Sequence, residues 1–176
     1  MRRAAAISLG LASLMLCGGT GLSVVPAAQR SAAAVNDAWR TFNGSWSALG
    51  RRQTIPTEGG GTAAVVYLSG AVVIAKGSNL GDGLLGEAIA FDDGRNLSTG
   101  RAVWTDTRGD RIFSQLSGEP VAAGRRIVGT ITGGTGRFAG VVGEYELTWQ
   151  YVARDDDQVQ GRAVDLRGRL RKESQP

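Results

Sequence analysis

The sequence predicts an all-β protein built as a single eight-stranded antiparallel barrel, with a β-sandwich as the alternative. Apolar and polar residues are finely interleaved along most of the chain, which is typical of half-buried strands. Segments of strand length alternate with short clusters of turn-forming residues. Glycine makes up 27 of the 176 residues and proline only 4, which argues against collagen-like and proline-rich chains. An eight-stranded barrel either fills its interior with side chains or holds one small ligand.

Residues 1–27 have the features of a secretory signal peptide. A positively charged start precedes an apolar stretch over residues 4–17, and small residues at a cleavage site end at Ala27. The apolar stretch is too short for a membrane span. Leu16 stands where a lipoprotein signal needs a small residue before Cys17, so the sequence disfavours lipidation. We therefore expect export, to the periplasm or the medium, with cleavage after Ala27.

The residue inventory removes several kinds of active site. The chain contains no histidine, and its single cysteine lies in the leader. These absences exclude Ser-His-Asp and Cys-His nucleophiles, zinc sites of Cys and His, haem with a His or Cys axial ligand, and disulfides. The acidic run at residues 155–157 lacks the spacing of an EF-hand loop and is predicted as a solvated hairpin tip. We expect neither a cofactor nor a metal.

Charge and hydropathy limit the partners of the protein. No block of like charges indicates a nucleic-acid partner, and no apolar run after the leader has the length of a membrane span. On the last predicted strand, Asp165, Arg167, Arg169 and Arg171 share one face, which we expect to point outward. Nothing in the sequence indicates the oligomeric state.

The barrel domain is predicted over residues 44–176, after a loosely ordered lead-in over residues 28–43. The first strand ends at a glycine-rich loop, and the second is apolar on both faces, so we expect it to have neighbours on both sides. The third strand ends at an Asp-Gly turn, the fourth at a turn flanked by Asp106 and Asp110, and the sixth at a glycine corner. The predicted strands cover residues 45–54, 63–75, 84–91, 96–105, 111–117, 125–132, 143–152 and 159–171.

The glycine corner consists of Gly133, Gly134, Gly136 and Gly140. Gly134, Gly136 and Ala139 also have the G-x-G-x-x-A spacing of a dinucleotide-binding fingerprint. That fingerprint needs a helix whose N-terminus holds the pyrophosphate, and only residues 140–143 lie between it and the next strand. We therefore predict a tight corner between two antiparallel strands.

Two segments carry a resemblance to a known family. Residues 129–145, GTITGGTGRFAGVVGEY, and residues 100–113, GRAVWTDTRGDRIF, resemble segments of plant allene oxide cyclases, dirigent proteins and small secreted bacterial relatives. The resemblance covers residues 97–152 and implies an eight-stranded, calycin-like barrel. In plant allene oxide cyclases a lumen glutamate and a lumen tyrosine take part in the reaction. Neither lies in the matched segments, so the resemblance transfers no catalytic role to a residue of this chain.

Alternation places large side chains on one face of the seventh strand. Tyr145, Leu147, Trp149 and Tyr151 share that face, and we expect it to point inward because four such groups would otherwise form an exposed patch. Trp104 on the fourth strand is a further candidate for the barrel interior, the lumen. These residues either fill the core or line a ligand cavity.

Glu87 on the third strand is the candidate catalytic residue. It shares a face with Leu85, Ile89 and Phe91, whereas the opposite face carries smaller side chains. If the bulkier face lines the lumen, desolvation raises the pKa of the Glu87 carboxyl and suits it to general acid or base catalysis. If the small-residue face lines the lumen instead, Glu87 is solvated or paired with an arginine.

Three functions follow from these alternatives. The first is an exported barrel that binds a small, largely apolar molecule in its lumen. The second is a cofactor-free cyclase or isomerase of the allene oxide cyclase-like type, in which positioning in a dry lumen lowers the barrier. The third is a filled barrel with a structural or surface role. An apolar cavity favours the first function, a cavity with a buried glutamate the second, and a packed interior the third.

Overall fold

A computed structural model describes residues 38–75, 80–81, 83–95, 97–155 and 157–173. The predicted signal peptide and residues 28–37 of the predicted lead-in lie outside these ranges. Eight antiparallel strands pair in sequence order, and the first pairs with the last, which closes the barrel. The barrel prediction is confirmed, and the sandwich alternative is wrong. No helix in the described ranges has the length and apolar character needed to span a membrane.

The strands are joined by short links, as expected for an up-and-down barrel. They are β1 (Arg40–Pro56), β2 (Thr62–Ile74), β3 (Gly83–Asp92), β4 (Ser98–Thr105), β5 (Arg111–Val121), β6 (Gly124–Gly134), β7 (Val141–Arg154) and β8 (Gln158–Lys172). Two 3-10 turns, Glu58–Gly60 and Gly136–Phe138, complete the regular structure.

The first strand begins earlier than the sequence predicts. β1 starts at Arg40, inside the predicted lead-in, and Arg40 pairs with Leu170 of β8. Phe42 points into the core and is only 5% exposed. The extension follows from closure, because β8 runs to Lys172 and its backbone groups need a partner strand along that length. Residues 40–43 therefore belong to the barrel.

Aromatic rings fill much of the lumen, and inward-facing glycines make room for them. A Cβ at Gly129 would lie 2.1 Å from Tyr145 Cζ, and a Cβ at Gly161 would lie 2.3 Å from Trp149 Cζ2. Such distances are shorter than any real contact, so a larger residue at either glycine would displace the ring. The high glycine content of the sequence is partly explained by this packing.

The two ends of the barrel differ in construction. The first end carries the links after β2, β4 and β6, and we call it the plug end. Leu80 and Phe138 are buried there, 2% and 5% exposed respectively. The second end carries the links after β1, β3, β5 and β7, and we call it the mouth. The mouth leads into the lumen.

Candidate functional site

The glycine corner lies at the plug end, and we call its residues, 133–140, the plug. After β6, residues Gly136–Phe138 make one 3-10 turn, and β7 starts at Val141, so no α-helix follows the glycines. The φ angles of Gly136 and Gly140 are 51° and 73°, a region that other residues adopt only at a cost. The turn places Phe138 across the end of the barrel. The predicted corner glycines therefore lie where β6 turns into β7.

A network of polar groups holds the plug in place. The Asp106 carboxylate accepts hydrogen bonds from the backbone N–H groups of Arg108 at 2.8 Å and Asp110 at 3.0 Å. It also accepts one from Arg137 Nε at 2.6 Å. Arg137 Nη2 donates to the Leu80 carbonyl at 2.7 Å. The turn that the sequence predicts between Asp106 and Asp110 is therefore confirmed, and it anchors the corner as well.

Two opposing effects act on the pKa of the Asp106 carboxyl. Burial raises that pKa, but the hydrogen bonds from Arg108 and Asp110 and the charge and hydrogen bond of Arg137 outweigh it. The pKa lies below its ordinary value of 3.8 as a result. Asp106 is therefore ionised at neutral pH and forms an ion pair with Arg137.

A cavity of about 70 Å³ lies in the lumen below the mouth. Of the predicted lumen residues, the structure places Trp104, Tyr145, Leu147 and Trp149 in its wall, each at most 5% exposed. Tyr151 also borders the cavity, at the rim, and is 37% exposed. The rest of the lining is Trp46, Val66, Leu68, Ala88, Ala90, Asp92, Ser98, Ala102, Leu116, Arg125 and Ile127.

The aromatic side chains of the wall pack in pairs. The ring centroids of Trp46 and Trp149 are 5.1 Å apart, and those of Trp104 and Tyr145 are 4.6 Å apart. Burial raises the pKa of Tyr145 to about 12, although its hydrogen bond with Ser114 lowers it somewhat. Tyr145 therefore stays a neutral phenol at physiological pH. The deep part of the lumen is packed by these rings, and the cavity is what remains above them.

Two indole nitrogens of the wall are buried without a hydrogen-bond partner among the described residues. They are Trp46 Nε1 and Trp149 Nε1. A buried donor that lacks a partner costs about 1–3 kcal/mol. Buried polar groups of native proteins are usually paired, so two unpaired donors beside one cavity mark it as the candidate ligand site.

The sequence analysis missed three polar residues at the mouth: Asp92, Ser98 and Arg125. Arg125 Nη2 donates to Asp92 Oδ2 at 2.8 Å, and Ser98 is directly opposite Asp92 in the pairing of β3 with β4. Alternation could have found them, because Asp92 shares the face of Ala88 and Ala90, and Arg125 shares the face of Ile127.

The structure corrects the lumen position considered for Glu87. The small-residue face of β3 points inward, with Leu84 and Ala88 buried, so Glu87 lies on the outer surface. Tyr67 donates its hydroxyl to Glu87 Oε1 at 2.8 Å, and this hydrogen bond is the main cause of the raised pKa of Tyr67. The small side chains face inward because the rings of the opposite strands occupy the lumen.

A larger hollow of about 560 Å³ lies on the outer wall formed by β6, β7 and β8. Its charged groups are already paired: Glu146 binds Arg126 and Arg167, and Glu144 binds Arg169. Arg167 and Arg126 hold the pKa of the Glu146 carboxyl below its usual range. The predicted outward direction of Arg167 and Arg169 is confirmed. Because the charged groups of the hollow are already paired with one another, the mouth cavity is the better candidate.

Metal binding finds no support in the described part of the chain. No group of three or more Asp, Glu, His or Cys side chains is arranged there to hold an ion. Asp155 and Asp157 lie in the turn between β7 and β8, and Asp156 is outside the described residues.

No protein-family model matches the chain, and no curated protein sequence does. Among solved structures, the chain is similar to pyocyanin demethylase, with 16% identity, a TM-score of 0.36, and coverage of 72% of this chain and 100% of that chain. It is also similar to a pterocarpan synthase dirigent protein, with 11% identity, a TM-score of 0.44, and coverage of 77% and 92%. TM-scores below 0.5 are too low to assign a fold family or a function to this chain. Neither structure is an allene oxide cyclase, so that part of the resemblance stays a prediction.

Proposed function

We propose that this protein is an exported barrel that binds one small, largely apolar molecule in the mouth cavity without transforming it. The observation that carries the proposal is the lining of that cavity. Its walls are mostly apolar and aromatic, and they contain the indole N–H groups of Trp46 and Trp149, which have no partner in the part of the chain that the structure describes. Ligand sites combine an apolar wall with a few polar groups that fix orientation.

The volume of the cavity limits the ligand. At about 70 Å³, it has roughly half of the ~150 Å³ that accommodates benzene in an apolar protein cavity. Sites for drug-sized ligands have ~300–1,000 Å³. A ligand of one ring or a short chain fits if part of it stays at the mouth, where Tyr151 borders the opening. Larger molecules need a movement of the aromatic wall.

The cyclase alternative has no supporting observation at this cavity. Glu87 lies outside the wall, and the raised pKa of Tyr145 disfavours its ionisation. The structural role has one observation in its favour, namely the packed deep lumen. A test of the proposal must therefore distinguish a ligand-binding mouth from a barrel that is simply filled.

Fluorescence titration makes this distinction. Trp39 is 46% exposed on the outside of the barrel, so a Trp39→Phe background leaves Trp46, Trp104 and Trp149 as interior reporters. We expect toluene, as a one-ring probe, to change their emission saturably. Ala90→Leu in this background adds volume inside the cavity and should weaken binding at least tenfold.

The matched control is Ala71→Leu, the same change on the outer face of β2, where Ala71 is exposed. It should leave binding unchanged. If no one-ring probe gives a saturable change, or if both leucine variants behave alike, the lumen is only a filled core and the proposal is wrong.

Export is the second part of the proposal and rests on residues 1–27 of the sequence. We expect the mature chain to begin at or near Ala28. Intact-mass measurement on protein recovered outside the cytoplasm of its native host tests this. A mass that retains the leader, or one that includes lipid on Cys17, would contradict it.

A further inference from the structure

The unpartnered polar atoms around the mouth cavity are of one chemical kind. Among the lining residues, four atoms are buried and have no hydrogen-bond partner in the described part of the chain: Trp46 Nε1, Ser98 Oγ, Arg125 Nη1 and Trp149 Nε1. Three of these are nitrogens that can only donate, and the hydroxyl of Ser98 can donate as well. The cavity therefore presents free donors.

The acceptors of the same cavity are already occupied. Asp92 Oδ2 accepts from Arg125 Nη2 at 2.8 Å, and Asp92 Oδ1 accepts from the backbone N–H of Gly94 at 3.0 Å. The phenol of Tyr145 is hydrogen-bonded with Ser114. A ligand that donates would meet the Ser98 hydroxyl and acceptors that already have a partner, whereas a ligand that accepts would meet four donors without a partner in the described part of the chain.

The fold holds the guanidinium of Arg125 in position. Its side chain extends from β6 toward Gly118 of β5, where a Cβ would lie 3.4 Å from Arg125 Cδ, close to an ordinary contact distance. It then reaches Asp92 on β3, next to Ser98 on β4. Because the ion pair with Asp92 fixes Nη2, the Arg125 side chain loses little conformational freedom when its buried Nη1 binds a ligand.

We infer that the ligand carries an oxygen acceptor, a carboxylate or a carbonyl, that Arg125 Nη1 and Ser98 Oγ bind at the mouth. The apolar part of the ligand then lies against the indoles of Trp46 and Trp149. Asp92 balances the charge of Arg125, so the site selects an acceptor whether that acceptor is charged or neutral. This inference rests on the proposed function and adds the chemistry of recognition to it.

Four probes of one ring size test the inference by calorimetric titration: toluene, acetophenone, benzoate and benzylammonium. We expect acetophenone or benzoate, or both, to bind at least tenfold more tightly than toluene, and benzylammonium to bind more weakly than toluene. The comparison of acetophenone with benzoate shows whether the natural acceptor is neutral or anionic.

Variants then assign the preference to the named donors. Arg125→Met should reduce the affinity for the acceptor probes to that for toluene. Ser98→Ala should weaken the same probes several-fold without lowering the unfolding midpoint, since its hydroxyl has no partner to lose among the described residues, and it decides the question if Arg125→Met does not fold. The control is Arg126→Met, the neighbouring arginine, which lies on the outer face with 51% of its side chain exposed. It should change no affinity.

The possible failures can be told apart. If toluene binds and neither acceptor probe binds more tightly, the inference is wrong and the proposed function stands. If the acceptor probes bind more tightly but Ser98→Ala and Arg125→Met both leave that preference intact, the inference is wrong as to its residues. If none of the four probes binds, the proposed function itself fails.

Discussion

The Arg–Asp pairs at the two ends of the barrel differ in how completely their polar groups are hydrogen-bonded. At the plug end, the Asp106 carboxylate accepts three hydrogen bonds, and Arg137 donates to both Asp106 and the Leu80 carbonyl. At the mouth, Arg125 uses Nη2 for Asp92 while its Nη1 is buried without a partner among the described residues. Each end contains an Arg–Asp pair, but of the two guanidinium groups only that of Arg125 has a buried nitrogen without a partner among the described residues.

This difference indicates that the plug end stabilises the fold and that the mouth is available for binding. A satisfied network in a low-dielectric environment rigidifies the structure around it. A buried donor without a partner lowers stability by about 1–3 kcal/mol, and natural proteins retain such groups mainly at functional sites. We therefore expect changes at the plug to affect folding and changes at the mouth to affect ligand binding.

The largest expected effect comes from opening the plug. Phe138→Ala removes a ring that is 5% exposed and should lower the free energy of unfolding by about 3–5 kcal/mol. At the mouth, Tyr151→Ala removes a ring that is 37% exposed and should cost less than about 1 kcal/mol. Urea unfolding of both variants measures the difference. Equal losses would show that the two ends support the fold alike.

A backbone substitution at the plug should have the next largest effect. Gly136 has a φ of 51°, and a Cβ there would lie 1.8 Å from Asp110 Oδ1. Gly136→Val should therefore lower the free energy of unfolding by about 1–3 kcal/mol. The control is Gly83→Ala, because a Cβ at Gly83 meets nothing within 4 Å. The interpretation is wrong if Gly136→Val unfolds at the same urea concentration as the parent.

Acid should weaken the plug through Asp106. Because the pKa of its carboxyl is lower in the folded state than the ordinary 3.8, ionised Asp106 stabilises the fold above that pH. The stabilisation is lost as pH falls through the lower folded-state pKa. Asp106→Asn should be less stable than the parent at pH 7, and the two should converge toward pH 2. Urea unfolding at several pH values tests this, and a constant difference would refute it.

The smallest effect is expected at Glu87, which lies at neither end of the barrel. Its hydrogen bond with Tyr67 is exposed, so Glu87→Gln should change the free energy of unfolding by no more than about 0.5 kcal/mol. Binding of the one-ring probes should also be unchanged. A Glu87→Gln variant that loses probe binding would return this residue to the functional site and would contradict its position on the outer wall.

Much of the barrel could be predicted because local sequence patterns specify its strands and turns. The alternation of Tyr145, Leu147 and Trp149 identifies an inward face, and the glycines after β6 can only make a corner, since no helix fits before β7. The turn between Asp106 and Asp110 follows from side chains that bond nearby backbone N–H groups. Each of these features depends on residues that are close together in sequence.

The candidate site could be predicted only in part. Its aromatic wall follows from alternation, but the pair of Asp92 and Arg125 joins β3 to β6, strands that are not neighbours in the sheet. Such a contact arises only when the barrel closes and opposite inner faces meet. For a related reason, the sequence did not decide which face of β3 points into the lumen. Both faces of this strand carry apolar side chains, and the space left by the opposite wall determines which of them fits inside.

By itself, the sequence determined the strand periods, the turns and the corner, because these depend on backbone preferences and on the spacing of neighbouring residues. Only the tertiary structure decided the start of β1 at Arg40, the outward position of Glu87 and the size of the mouth cavity. It also decided that Arg125 Nη1 and Ser98 Oγ have no hydrogen-bond partner among the described residues. These properties depend on volume and pairing across the closed barrel, and a linear pattern of residues does not contain them.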